Sequence, residues 1–218
     1  MQDQENNAEI IPAADIFNRH AQVYQQRFMD VSLYADTLDI FCSKINKEDA
    51  AILDIACGPG NITKYILNKR PGFAVLGIDL SKNMIELAKA NNPTGVFKMM
   101  DAADIHRLDT KYEGIVCGFC FPYLPQEKTI QLIKDAASLL NINGAFYLST
   151  IEGEHSRSGI KINRYGEQVM MYYYEAGFLV DTLKKNHFMI DDIRRKTYIY
   201  GEEEITDVII VAHKTNES

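Results

Sequence analysis

The chain has 218 residues, of which 46% are hydrophobic, and its 23 Lys and Arg against 30 Asp and Glu give a formal net charge of −7. This length suits one domain with a substantial core, and the acidic balance argues against a nucleic-acid binder with a broad basic surface. The longest apolar run, residues 114–123, is about half the ~20 residues of a membrane span. The first residues show no secretory signal. We therefore expect a soluble cytoplasmic protein that binds neither nucleic acid nor membrane.

The N-terminal region predicts helices. Between Asp15 and Lys44 the apolar residues recur at intervals of three to seven, which is typical of one or two amphipathic helices. We assign residues 1–48 to a helical cap and residues 49–218 to the main domain. A segment near residues 151–175 is predicted to be an insertion that faces the substrate.

Residues 50–150 alternate between two periodicities. Apolar runs predict strands at residues 50–56, 73–78, 96–100, 114–119 and 145–150. Helical spacing predicts helices at residues 61–68, 81–90 and 126–140, the first two with Asn61 and Ser81 as N-caps. Apolar strands that alternate with helices predict a parallel sheet covered on both faces.

The C-terminal part predicts a different arrangement. A helix at residues 175–186 precedes two strands at residues 188–200 and 205–214. The turn between these strands is too short for a crossover helix, so they should be antiparallel. The predicted fold class is α/β, with a doubly wound, mostly parallel sheet and a C-terminal antiparallel hairpin.

The four cysteines predict no disulfide framework and no metal site. They are few and scattered, and only Cys117 and Cys120 have a suggestive spacing. That pair ends an apolar run, and neither a second pair nor histidines at ligand spacing follow it. We expect small buried side chains without a metal.

Three acids stand at the ends of three successive predicted strands: Asp54, Asp79 and Asp101. Ligands of open α/β sheets bind outside the carboxyl ends of the strands, so these acids should share one rim. Gly58 and Gly60 follow Asp54 and allow a ligand to approach the backbone. A carboxylate at the end of the second strand can accept ribose hydroxyls, and Asp54 would favour an ammonium or sulfonium group over a pyrophosphate.

Other nucleotide signatures are incomplete. The third position of the G-x-G-x-x-G dinucleotide fingerprint is Thr63, and no G-K-[ST] follows the glycine loop. An NAD(P)-dependent oxidoreductase remains an alternative, because it would use the same sheet and the same contact at Asp79.

These motifs resemble the class I S-adenosylmethionine-dependent methyltransferases of the small-molecule type. The segment ILDIACGPGN resembles the first motif of that family, and FKMMDAADI resembles its third. The similar segments are residues 52–61, 76–89, 97–105, 113–124 and 139–150. The resemblance implies a Rossmann-like fold and methyl transfer from S-adenosylmethionine to a small-molecule acceptor.

The resemblance also implies cofactor contacts in the first half of the sheet. Asp54, Gly58 and Gly60 would frame the methionine part of the cofactor. Asp79 would hold the ribose hydroxyls, and Leu80 would lie against the adenine.

Four further contacts follow from the same resemblance. Asp101 would face the adenine amino group, and Ala102 would supply a backbone N–H. Phe119 would lie near the reacting methyl group. Residues 17–24 resemble a lid segment, in which Tyr24 would close over the cofactor.

The chain departs from the family pattern at several positions. Ala56 replaces a glycine often seen in the first motif, and Glu113 stands where the fourth motif usually begins with Asp. The absence of N-P-P-[YF] after the fourth strand argues against amino methylation of adenine or glutamine. No metal-ligand set of the catechol-methylating kind is present.

The acceptor site has candidates but no signature, and no catalytic residue is assigned. A general base is needed only when the acceptor carries a proton. The candidate lining residues are His20, Tyr24, Tyr123, His155, Tyr172, Tyr173 and Tyr174, and Arg157 or Arg164 could bind an acidic group. A non-catalytic regulator that binds S-adenosylmethionine is a further alternative.

Overall fold

The computed structural model describes residues 9–216. The first eight residues of the predicted cap therefore lie outside the described part of the chain. Within residues 9–216, no helix combines the length and the apolar character that crossing a membrane would require.

The described chain contains seven α-helices and nine strands. Three helices come first: α1 (Ala13–Arg19), α2 (Ala21–Phe28) and α3 (Ala35–Ser43). The alternating part comprises β1 (Ala51–Ile55), α4 (Asn61–Lys69), β2 (Ala74–Asp79), α5 (Lys82–Asn91), β3 (Val96–Met99), β4 (Tyr112–Gly118), α6 (Gln126–Leu139) and β5 (Leu140–Ile151). The remaining elements are β6 (Gly159–Ile162), β7 (Gln168–Met171), α7 (Ala176–Lys185), β8 (Phe188–Tyr200) and β9 (Glu203–Lys214).

The main sheet confirms the predicted fold class. Its seven strands have the order β3-β2-β1-β4-β5-β9-β8, and strands β1 to β5 pair in parallel. Strand β9 lies antiparallel between β5 and β8. The strand order reverses between β1 and β4, and ligands bind such sheets beside that point.

The core is divided between the two faces of the sheet. Alternate residues of β1 point to opposite faces: Leu53 packs in the cluster beneath α6 and α7, and Ile52 packs in the cluster beneath α3 and α4. Neighbouring Ile115 and Val116 of β4 divide in the same way. The central strands β1 and β4 are mostly apolar because both of their faces are buried, whereas the edge strand β3 is mostly exposed.

Helix starts differ in part from the prediction. Ser81 caps α5 as predicted, because its hydroxyl accepts the Met84 N–H at 3.2 Å. The N-cap of α4 is Gly60 rather than Asn61. The Asn61 side chain instead donates to the Phe28 carbonyl at 2.8 Å, which ties α4 to the end of α2.

Two other elements differ from the predicted pattern. Helix α6 ends at Leu139, and β5 continues directly from it, so this strand begins five residues earlier than residues 145–150 suggest. Strands β6 and β7 form a separate antiparallel hairpin inside the predicted insertion. The N-terminal region holds three α-helices instead of one or two.

Candidate functional site

A cavity of about 490 Å³ opens at the carboxyl ends of the parallel strands. Its size lies within the ~300–1,000 Å³ typical of small-molecule and cofactor sites. Seven of the nine predicted site residues line it: Tyr24, Gly58, Asp79, Leu80, Asp101, Ala102 and Phe119.

Asp79 connects the end of β2 to the glycine loop. Its Oδ2 accepts the Gly58 N–H at 2.9 Å, and its Oδ1 accepts the Ser81 N–H at 2.8 Å. Burial raises the pKa of Asp79, while these backbone N–H groups act in the opposite direction. Each carboxylate oxygen has a second lone pair, so Asp79 can still accept hydroxyl groups from a ligand.

Asp101 and Leu80 contribute a polar and an apolar wall. Asp101 begins a short 3₁₀-helix, where its Oδ1 accepts the Ala103 N–H at 2.9 Å. Leu80 is 50% exposed although it lies at the cavity. An exposed leucine there offers an apolar surface for a flat ligand ring.

Asp54 and Gly60 do not line the cavity. Asp54 is buried behind the loop, where its Oδ2 accepts the Thr63 hydroxyl at 2.5 Å, and burial raises the pKa of Asp54 to about 7. A Cβ at Gly60 would lie 2.3 Å from Asn92 Nδ2. Both residues shape the glycine loop from within the core, and their direct contact with a cofactor stays a prediction.

Two non-glycine residues of the cavity wall have a left-handed backbone. Ala56 follows β1 with a φ of +54°, and Phe119 follows β4 with a φ of +56°. Backbone strain of this kind gathers at functional sites. At Ala56, where the resembling family often has glycine, the positive φ gives the physical reason for that preference.

Aromatic residues of the cap cover the cavity. The Tyr24 ring meets the Phe17 ring edge-on at 5.5 Å, and Phe17 meets Tyr123 at 5.0 Å. Tyr24 Cε1 lies 3.8 Å from the position of a Cβ on Gly58. Burial, together with the charge of Asp79, raises the pKa of Tyr24 to about 12, so Tyr24 remains a neutral phenol at physiological pH.

The acceptor candidates separate into three groups. Tyr24, Tyr123 and Tyr172 line the cavity, whereas His20 and Arg164 line a smaller neighbouring one. His155, Arg157, Tyr173 and Tyr174 line neither of the two.

The candidates outside the cavities have structural contacts. The Tyr174 hydroxyl donates to the Leu124 carbonyl at 2.5 Å, and His155 Nδ1 lies 3.2 Å from the Tyr173 carbonyl. Arg157 lies over the Tyr173 ring at 4.9 Å. They line neither of the two cavities, and a place for them in an acceptor pocket stays a prediction.

The electrostatic character of the cavity is acidic. Asp79 and Asp101 line it, and the described residues of its wall include no Lys, Arg or His. Such a wall favours a cationic ligand over a phosphate. Across residues 9–216 no cluster of three His, Cys, Asp or Glu could hold a metal ion. All four cysteines are buried and free.

Similar proteins share this fold. Residues 52–144 match the family model of a methyltransferase domain. A malonyl-[acyl-carrier protein] O-methyltransferase from Priestia megaterium is 30% identical over 133 residues, which are 57% of this chain and 48% of that protein. An S-adenosylmethionine-dependent methyltransferase from Clostridium acetobutylicum superposes with a TM-score of 0.70 at 16% identity, covering 92% of this chain and 100% of that one.

Residues 52–144 are therefore similar to a methyltransferase domain, and the chain shares the fold of S-adenosylmethionine-dependent methyltransferases. A 1,6-didemethyltoxoflavin-N1-methyltransferase from Burkholderia thailandensis also superposes on it with a TM-score of 0.70, at 18% identity, covering 93% of this chain and 87% of that one. That structure holds its acceptor and S-adenosylhomocysteine. The present chain spans 34% to 57% of the length of three curated relatives.

The cavity fits the cofactor of this family. S-adenosylmethionine carries a sulfonium, a ribose diol and an adenine ring. Among the residues that the structure describes, the cavity wall has two carboxylates and no competing cation, and Leu80 provides an apolar surface. The backbone at Gly58 leaves space that a side chain would occupy.

Sequence reasoning placed the cap and the segment of residues 151–175 near the substrate but singled out none of the residues that follow. Residues 10–14 and Met170 line the cavity, and neither belongs to a motif. The Ile11 N–H donates to the Gln168 carbonyl at 2.8 Å, which joins the N-terminal segment to the β6–β7 hairpin. Only a long-range contact brings these residues to the site, so no local pattern signals them.

Proposed function

We propose that this methyltransferase binds S-adenosylmethionine in the 490 Å³ cavity and transfers its methyl group to a small-molecule acceptor. The observation that carries the proposal is the acidic cavity at the carboxyl ends of β1 to β4, whose described wall contains Asp79 and Asp101 and no cation. The bound cofactor supplies an activated methyl group on a sulfonium.

The residues around the cavity have separate roles in this proposal. Asp79 accepts the ribose hydroxyls through its remaining lone pairs, since it is already held by the Gly58 and Ser81 N–H groups. Leu80 supports the adenine ring. Asp101 Oδ2 accepts a hydrogen bond from the adenine amino group, because Asp101 Oδ1 already accepts one from the Ala103 N–H.

The cap and the β6–β7 hairpin complete the site. Tyr24 covers Gly58, and Tyr123 closes the wall beside Phe17. We assign acceptor selection to the cap within residues 1–48 and to the segment of residues 151–175. Alignment of two reactants in a water-poor site is worth roughly 7–11 kcal/mol of the activation barrier, so positioning carries most of the catalysis.

Named relatives act on different acceptors. One is named for malonyl-[acyl-carrier protein] and another for 1,6-didemethyltoxoflavin. The differing names leave the acceptor to be found by experiment. Only short segments outside the motif-bearing core, within residues 1–48 and 151–175, contribute to the cavity wall, which supports a small molecule over a macromolecule.

A turnover screen tests the proposal. The full chain is incubated with methyl-labelled S-adenosylmethionine and pools of small acceptors, and S-adenosylhomocysteine formation is measured. We expect acceptor-dependent product in at least one pool, with loss of product in Asp79→Ala. Asp109→Ala, an exposed acid outside the cavity, is the matched control and should retain turnover. Binding of the cofactor without transfer to any pool would instead support a regulator.

A further inference from the structure

A second cavity of about 240 Å³ lies beside the cofactor cavity. Helices α1 and α2 form one side of it, and the β6–β7 hairpin forms another. Phe17, Tyr24 and Tyr123 line both cavities, so the two spaces share part of their walls. A ligand in the second cavity therefore lies next to the cofactor.

The two cavities have opposite charge. The cofactor cavity is lined by Asp79 and Asp101 and, among the described residues, by no cation. The second cavity is lined by Arg27, Lys161 and Arg164, and the described residues of its wall include no Asp or Glu. In a chain of net charge −7, this concentration of positive charge is local.

The three cations have aromatic partners in place of carboxylates. Arg27 lies over the Tyr200 ring at 5.4 Å and donates to the Tyr200 hydroxyl at 3.2 Å. Lys161 lies 5.6 Å from the centre of the Tyr173 ring. Arg164 lies 5.4 Å from the centre of the Tyr165 ring. Within residues 9–216, none of the three forms an ion pair.

The nearest acid of the hairpin is already engaged. Glu167 does not line the second cavity, and its carboxylate is held by Arg19 at 2.9 Å and by Asn163 at 2.9 Å. It also lies 3.3 Å from His20 Nε2. The three cations of the second cavity can therefore bind an anionic ligand.

Size and shape restrict that ligand. The volume of about 240 Å³ is below the ~300 Å³ at which pockets for drug-sized molecules begin. Phe17, Tyr123 and Tyr165 provide ring surfaces, and Tyr165 stacks on His20 with 3.6 Å between ring centres. Aromatic walls of this kind suit a compact planar molecule.

We propose that the second cavity binds the methyl acceptor and that this acceptor is a compact planar carboxylic acid, held through its carboxylate by Arg27, Lys161 and Arg164. The inference rests on the proposed function, because it assigns the substrate class of the same enzyme. The carboxylate orients the acceptor. Because the three cations line the second cavity and not the first, the opposite end of the acceptor faces the cofactor.

Matched acid and amide probes test this inference. The full chain is saturated with S-adenosylhomocysteine, and affinities are measured by calorimetry for benzoate, cinnamate and 2-naphthoate and for the corresponding uncharged amides. We expect at least one acid to bind about tenfold more tightly than its amide, because charge-assisted hydrogen bonds to Arg and Lys are lost in the amide.

Two triple variants locate the effect. Arg27→Met, Lys161→Met and Arg164→Met together remove the charges but keep the apolar stems, and we expect the acid preference to fall to about threefold or less. The control replaces Lys98, Lys128 and Lys134 by Met, which removes equal charge from exposed positions outside both cavities. This control should keep the preference.

The outcomes are distinguishable. Equal affinity for acids and amides, or a preference that survives the first triple variant, overturns the assignment of the acceptor class. If the control variant also loses the preference for acids, the preference comes from general surface charge, and the assignment is overturned as well. If the triple variant does not fold, Lys161→Met alone should lower the preference. Failure of the wild type to bind S-adenosylhomocysteine would contradict the proposed function itself.

Discussion

Replacing Gly60 by alanine should destabilise the fold much more than the same change at Gly58. Gly60 has a φ of +77°, and an added Cβ would lie 2.3 Å from Asn92 Nδ2 and 3.3 Å from Ala88 Cα. Asn92 is buried, and its Nδ2 donates to the Gly60 and Ala88 carbonyls at 3.0 and 3.2 Å. The alanine must therefore displace a buried amide from two hydrogen bonds.

The magnitude follows from two contributions. A left-handed alanine costs about 1–2 kcal/mol relative to glycine. Displacing the Asn92 amide leaves buried polar groups without partners, at about 1–3 kcal/mol. We expect Gly60→Ala to lose about 2–5 kcal/mol of unfolding free energy. Gly58 has a φ of +53° and its added Cβ meets only Tyr24 Cε1 at 3.8 Å, so Gly58→Ala should lose only about 1–2 kcal/mol.

Urea unfolding followed by circular dichroism measures both free energies. Calorimetry with S-adenosylhomocysteine then separates stability from binding, because Gly58 lines the cavity and Gly60 does not. Gly58→Ala should weaken binding although it is the more stable variant. The reasoning is refuted if the two variants lose the same stability within about 0.5 kcal/mol, since the Asn92 contribution alone exceeds that.

Two other predictions concern the core and the cap. Burial raises the pKa of Asp54 from 3.8 to about 7. Between these two pH values the folded state keeps a proton that the unfolded chain has released, so the protein loses stability as the pH rises from about 4 through 7. Asp54→Asn should remove this decline, which is on the order of 4 kcal/mol, and a decline equally steep in urea titrations of the variant would refute the assignment. Glu167→Gln should weaken the contacts to Arg19 and His20, so hydrogen exchange at the Ile11 amide should accelerate while amides of α6 stay unchanged. Unchanged exchange at Ile11 would show that Glu167 does not hold the hairpin on the cap.

The sheet was predictable because most of its strands can be recognised from their own residues. The central parallel strands β1 and β4 are buried on both faces and are mostly apolar, and the residues predicted for β8 match the observed strand Phe188–Tyr200. The β6–β7 hairpin was not predicted, because its strands have four residues each and are only partly buried. Its position depends on distant partners such as Arg19.

The candidate site was predictable where a strand end determines a side chain's place. Asp79 and Asp101 were expected at one rim because parallel strands end at the same edge, and the structure places both at one cavity. Asp54 stands one residue before the end of β1, and this residue faces the core. Arg27 and Lys161 had no signal, because they come from elements far apart in the chain that meet only in the folded protein.

Cofactor binding at Asp79 is the central claim, and calorimetry with S-adenosylhomocysteine and NAD tests it most directly. The wild type should bind S-adenosylhomocysteine and not NAD, and Asp79→Ala should weaken the binding by about tenfold or more, because a carboxylate that accepts ribose hydroxyls is lost. Asp109→Ala should bind as the wild type does. Binding of S-adenosylhomocysteine by Asp79→Ala with wild-type affinity would contradict the account.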